Sequence, residues 1–137
     1  MSGAASDDIQ VPVSVGELID KITILEIKSE RIANPAQLAN VRCELAALQA
    51  VCRNHGLDRS PLLKQVSALK GVNLEIWDVE DAIRECEARG AFTDRFIDLA
   101  RSIYRLNDER ARIKKAINLA SGSRYIEEKS YASFQGN

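Results

Sequence analysis

An all-α bundle is the fold class this sequence predicts, and three observations predict it. Apolar residues recur at spacings of three and four along four long stretches, the period of a helix with one buried face. Only 7 Gly and 3 Pro occur in 137 residues, so regular structure has few places where it must stop. Helix start and stop signals frame each stretch. The expected architecture is about four helices in long antiparallel hairpins, followed by a C-terminal arm. The expected division is a flexible N-terminal segment over residues 1–13, a helical bundle over 14–121 and an arm or frayed tail over 122–137.

The first stretch opens on Ser14-Val15-Gly16-Glu17, a capping box with a hydroxyl at the N-cap and a carboxylate three residues on. Leu18, Ile22, Leu25 and Ile32 then mark one stripe of a helix over residues 15–32, with Ser29 as its polar break. Ile19, Ile24 and Ile27 widen that stripe, which predicts more than one neighbour. So many isoleucines also suit a strand, but Asp20, Lys21, Glu26, Lys28, Glu30 and Arg31 do not alternate with them, and helix is the better reading. Asn34-Pro35 starts the second helix, with Leu38, Val41, Leu45, Leu48 and Cys52 as its stripe and Asn54-His55-Gly56 as its stop. The short link predicts an antiparallel hairpin.

Ser60-Pro61 repeats the start signal. Leu62, Val66, Leu69, Ile76, Val79, Ile83 and Cys86 continue the stripe to Gly90, while Asn73 interrupts it beside Gly71 and predicts a kink or local break. Thr93 opens the last helix, with Asp94 in its first turn. Phe96, Leu99, Ile103, Leu106, Ile113, Ile117 and Ala120 mark its expected buried side, and Ser121-Gly122-Ser123 ends it. Its length is roughly 40 Å. Beyond it, Tyr125, Ile126, Tyr131 and Phe134 punctuate a polar stretch that is either a docking arm or a frayed tail. Heptad-like stripes on long helices favour a homodimer through the same seam.

Composition narrows the class without naming an activity. A hydrophobic content of 45% can supply a core. The balance of 19 Lys+Arg against 20 Asp+Glu gives no general attraction to nucleic acid or membrane, and 5% aromatics is too few for a stacking platform on single strands. No apolar run approaches the ~18 residues of a membrane span. Cys43, Cys52 and Cys86 form no CxxC pair, and His55 is the sole histidine, so neither a metal site nor a cofactor is expected. Those thiols are expected as small core residues. Residues 1–10 lack a basic and apolar leader pattern, and the expected compartment is a reducing cytoplasm. One histidine, with no GxSxG and no glycine-rich phosphate loop, leaves no catalytic set to assign.

The chemistry concentrates in the last helix. Its apolar run of Phe96, Ala100 and Ile103 continues as Asn107, Arg110, Lys114 and Asn118. Arg110 falls between Leu106 and Ile113, where a heptad seam wants a hydrophobe. A buried guanidinium requires a carboxylate partner or a bound anion. Residues 101–115 hold six basic side chains (Arg101, Arg105, Arg110, Arg112, Lys114 and Lys115) against Asp108 and Glu109. That excess could hold phosphate or carboxylate groups, or could be a solvated basic face with one internal ion pair. Glu17, Lys21 and Lys28 share a face of the first helix, and the tail adds Glu127, Glu128, Lys129 and Tyr131. The candidate ligand-binding set is therefore Glu17, Lys21, Lys28, Asn107, Arg110, Lys114, Asn118, Glu128, Lys129 and Tyr131. Trp77, within Glu75-Ile76-Trp77-Asp78, is either an edge-of-core anchor or a stacking residue.

The chain as a whole resembles an uncharacterised family of small bacterial all-helical proteins. The carrying residues begin at Gly16-Glu17-Leu18-Ile19-Asp20-Lys21-Ile22-Thr23-Ile24-Leu25-Glu26-Ile27-Lys28, with Leu38-Ala39-Asn40-Val41 and Ile76-Trp77, Glu80-Asp81 and Arg84 following. Asn107-Asp108-Glu109-Arg110-Ala111, Ile117-Asn118 and Glu127-Glu128-Lys129-Ser130-Tyr131 complete it. The resemblance implies no established activity, only an association with surface-polysaccharide glycosyltransferase genes. Two enzyme families give partial likenesses. Val15-Gly16-Glu17-Leu18-Ile19-Asp20 and Glu75-Ile76-Trp77-Asp78 look like motifs of all-α nucleotide pyrophosphohydrolases, which use Mg²⁺, but residues 12–15 lack the expected double Glu. Ile19-Asp20-Lys21-Ile22 and Arg31 look like the opening helix of helical chorismate mutases, without the later motifs. The leading expectation is a non-enzymatic, dimeric accessory or interaction protein that could bind a protein partner or a small anionic ligand. The alternative is a small-molecule enzyme on an all-α scaffold.

Overall fold

Ser14 caps the first helix, α1 (Val15–Arg31), by accepting from the Glu17 amide at 3.0 Å. Only this half of the predicted capping box forms among the described residues, because the Glu17 carboxylate turns to Lys114 instead. Asn34 caps α2 (Pro35–Asn54) by accepting from the Gln37 amide at 3.0 Å, with proline in the tolerated first turn. The third helix, α3 (Ser60–Arg89), ends on Gly90 at φ 62°, and the fourth, α4 (Asp94–Ser121), ends on Gly122 at φ 67°. Both glycines take up the left-handed conformation that closes a helix. The computed structural model describes residues 8–133, and these contain no strand. Residues 1–7 of the expected flexible segment and residues 134–137 of the expected arm, Phe134 among them, lie outside the described residues.

The all-α bundle is confirmed, and α1 is its centre. Leu18, Ile19, Asp20, Ile22, Thr23, Leu25 and Ile27 are all buried, which surrounds the helix on nearly every side. It packs on α2, α3 and α4, as the widened isoleucine stripe predicts. Among the described residues α2 packs on α1 alone. The core is Ile19, Leu62, Leu69 and Ile117, ringed by Val15, Leu57, Val66 and Ile113. Fully burying each such aliphatic side chain contributes about 1.5–3 kcal/mol.

These contacts set the directions. Gly16 meets Asn118 and Asp20 meets Arg110, so α1 runs antiparallel to α4. Ile19 meets Leu62 and Leu69, while Arg31 meets Asp78 at 3.0 Å, so α1 runs alongside α3 in the same sense. At 1.5 Å per residue α1 is about 26 Å long and α3 about 45 Å. Arg31, the last residue of α1, meets Asp78, and α3 runs on from there to Arg89 before Gly90. There α3 and α4 continue as a two-helix hairpin past the end of α1.

Three expectations are corrected. α3 is unbroken through Gly71 and Asn73, because Asn73 is buried and hydrogen-bonded rather than a defect in the stripe. Cys43 is exposed and Cys52 half-buried, leaving Cys86 as the only one of the three that is buried. Of the predicted α4 stripe only Ile117 is buried; Ala120 is exposed and the others are half-buried, since much of α4 has a single neighbour.

Candidate functional site

The α1 sequence places Gly16, Asp20, Thr23 and Ile27 on one face at spacings of four, three and four. That face meets α3 and α4 and carries the polar centre of the molecule. Asp20 is 0% exposed. Arg110 closes on it side-on, with Nε donating to Oδ1 at 2.9 Å and Nη2 donating to Oδ2. Asn73 Nδ2 donates to Asp20 Oδ1 at 3.0 Å and to Thr23 Oγ1 at 2.9 Å. The Thr23 hydroxyl donates in turn to the Asp20 carbonyl at 2.8 Å. An ionised carboxylate out of water needs this many donors, and the three helices supply them.

Lys114 extends the cluster by one turn of α4. Its Nζ donates to Glu17 Oε2 at 2.7 Å and to Glu127 Oε1 at 3.1 Å, and lies 3.9 Å from Asp20 Oδ2. Burial is the largest influence on this ammonium and pulls its pKa down. Hydrogen bonds to Glu17 and Glu127, with the nearby carboxylate charges, outweigh it and hold the pKa above the ordinary lysine value. For Arg110 the hydrogen bond to Asp20 is the largest influence and raises the pKa against desolvation. Two cations thus face three carboxylates, so Arg110 and Lys114 are neutralised from within.

Gly16 is the close approach that lets α1 reach α4. A Cβ there would stand 2.6 Å from the Lys114 carbonyl oxygen and 3.0 Å from Asn118 Oδ1. Asn118 is 1% exposed and accepts from the Gly16 amide at 2.6 Å, which satisfies an orphan donor of the first helical turn. Ser123 Oγ accepts from the Val15 amide at 3.1 Å and donates to the Tyr125 carbonyl at 2.8 Å. The chain after α4 therefore turns back along the bundle, with Glu127 on Lys114 and Glu128 on Lys115 at 3.2 Å.

The predicted set divides accordingly. Glu17, Arg110, Lys114 and Asn118 come together with Asp20. Lys21 faces α2, 3.6 Å from Glu44. Lys28 and Asn107 are half-buried and outside the cluster. Glu128 pairs with Lys115, while Lys129 lies over the ring of the exposed Tyr131 at 6.0 Å. Asp20, Thr23, Asn73 and Glu127 are members the sequence reading did not select. The four-three-four spacing of Gly16, Asp20, Thr23 and Ile27 was the available signal for the first two.

Beside the cluster lies a cleft of about 290 Å³ between α1 and α3, with an apolar floor of Ile24, Ile27, Ile76 and the half-buried Trp77. The buried Asn73, the half-buried Arg110 and Glu80 and the exposed Asp81 and Arg84 complete its lining. Among the described residues no group of His, Cys, Asp and Glu could hold a metal ion, and no helix is long and apolar enough to cross a membrane. No curated protein and no solved structure matches this chain. A model of a family of unknown function, DUF6165, matches residues 9–135, nearly the whole chain, and this protein belongs to that family.

Proposed function

We propose that this protein acts by contact rather than by catalysis: a cytoplasmic helical-bundle accessory protein that pairs with a second copy through the free end of its α3–α4 hairpin. The observation that carries the reading is apolar surface where α1 and α2 give no cover. Phe92 is 57% exposed and Ile97 51%. Charge favours a second copy as the occupant. The outer half of α3 carries Glu80, Asp81, Glu85 and Glu87 against Arg84 and Arg89, while the first half of α4 carries Arg95, Arg101 and Arg105 against Asp94 and Asp98. A two-fold axis would lay the acidic helix of each copy on the basic helix of the other.

The reading of Arg110, Lys114, Asn107 and the Glu-Glu-Lys segment as an anion site has less support. An incoming anion would have to displace Asp20, Glu17 or Glu127 from cations they already neutralise. The pyrophosphohydrolase likeness meets a similar obstacle, because Glu17 is held by Lys114 and Asp78 by Arg31 instead of converging on one metal. The partners implied by the family resemblance are components of surface-polysaccharide glycosyltransferase systems, and the dimer is the form we expect to meet them.

Sedimentation equilibrium tests this reading. The wild-type chain is expected to be a dimer and Ile97→Asp a monomer that keeps the wild-type helical signal. A wild type that stays monomeric at every concentration, or an Ile97→Asp variant that still dimerises, would refute it.

A further inference from the structure

We propose that the cleft beside Trp77 is a binding site for a neutral planar heterocycle of the nucleobase class, a role distinct in chemistry from pairing although Glu80, Asp81 and Arg84 belong to both surfaces. The argument starts from two groups whose orientations are fixed by their other bonds. Asp20 offers Asn73 only acceptors, and the Thr23 hydroxyl has spent its proton on the Asp20 carbonyl. The Asn73 amide must therefore turn its NH₂ toward them, which settles its orientation. No described residue donates to its Oδ1. Arg110 commits Nε and Nη2 to Asp20, which leaves Nη1 without a partner among the described residues.

Both residues line the cleft, and both bond Asp20 Oδ1, so they stand side by side. The result is one free acceptor and one free donor on neighbouring residues of a largely apolar cleft. A ring N–H or amino group adjacent to a carbonyl or ring nitrogen matches that pair, and nucleobases carry this arrangement on their edges. Trp77 and the three isoleucines supply the surface against which the ring face would lie.

The same geometry argues for a neutral ligand. Arg110 is already neutralised by Asp20. In the same lining, Arg84 is largely exposed and shared with Glu80 at 3.4 Å, and Asp81 adds a further negative charge. A phosphate on the ligand would meet these carboxylates and gain little. The specificity would come from this donor and acceptor, which a bound ring covers: a ring lacking the matching edge leaves both cut off from water and unpaired.

Trp77 is the only tryptophan in the chain, so its fluorescence reports on this cleft alone. The test titrates uracil, cytosine, adenine, guanine and 1,3-dimethyluracil against the full-length protein. At least one free base is expected to change the emission saturably. 1,3-Dimethyluracil, which keeps the ring but has lost its N–H groups, should bind about tenfold or more weakly than uracil if uracil is among the ligands. Uridine should bind no more weakly than uridine 5′-monophosphate. Ile24→Phe, which fills the cleft while leaving the Asp20 cluster intact, should abolish the response with its helical signal and melting curve retained. The proposal is overturned by no saturable response to any base, by 1,3-dimethyluracil matching uracil, by marked tightening on adding the phosphate, or by an undiminished response in Ile24→Phe.

Discussion

At one end of this molecule three helices converge on a buried carboxylate, and at the other only two helices remain, with aromatic and aliphatic side chains facing outward. Asp20, Thr23, Asn73, Lys114 and Asn118 are all buried at the first end and all hydrogen-bonded. Around Phe92 and Ile97 the hairpin has little to bury against beyond the edge-to-face pair of Phe92 and Phe96, 5.1 Å apart. The first end thus uses polar residues to fix which helix meets which, and it satisfies them internally. The second end leaves apolar surface unsatisfied, which is how an interaction site differs from a structural one.

The largest expected effect breaks the satisfied end. Arg110→Ala strands the fully buried Asp20, and losing one partner of such a pair costs about 3–5 kcal/mol in urea unfolding. Replacing both partners, as Asp20→Asn with Arg110→Met, should recover most of that loss because no unpaired charge remains. If the double variant is as unstable as Arg110→Ala, the cost lies in packing rather than charge.

Two glycines then sharpen the contrast. Gly16→Ala drives a Cβ into the Lys114 carbonyl and is expected to cost about 1–3 kcal/mol. Gly71→Ala meets nothing within 4 Å on a continuous helix, so it should raise stability by about 0.4–1 kcal/mol. Thermal or urea unfolding of the two variants should move in opposite directions.

The Lys114 cluster predicts a pH dependence whose sign follows from its raised pKa. A folded-state pKa above the unfolded value near 10.4 means the stabilisation is fully present at neutral pH and is lost as pH climbs through the folded value. Melting temperature should therefore fall on the alkaline side above about pH 10, and Lys114→Met should flatten that part of the fall. The smallest effect on the fold itself belongs to the exposed end, where Ile97→Asp, compared with wild type at dilutions where both are monomers, should change unfolding by less than about 0.5 kcal/mol while altering the mass of the assembly at higher concentration.

Much of the fold was legible. Caps at Ser14 and Asn34, prolines at 35 and 61 and glycines at 90 and 122 bound the helices close to where the sequence puts them. Arg110 stood out because a guanidinium in an apolar stripe needs a counter-charge. Its partner did not, because Asp20 lies 90 residues away among six other charged residues of α1, and only tertiary contact separates a buried carboxylate from a solvated one. Asn73 was misread for a related reason: a polar residue in an apolar stripe looks the same whether it breaks a helix or bonds across one. Glycine at position 16 is legible only afterwards, since close helix approach is a property of two chain segments.

Hydrogen exchange measured across a range of protein concentrations tests the contrast between the two ends most directly. The account predicts that amides of α3 beyond Asp78 and of the first half of α4 gain protection as concentration rises, while those of α1 and the second half of α4 stay unchanged. Protection at the hairpin end that ignores concentration, or a concentration-dependent change centred on α1, would contradict it.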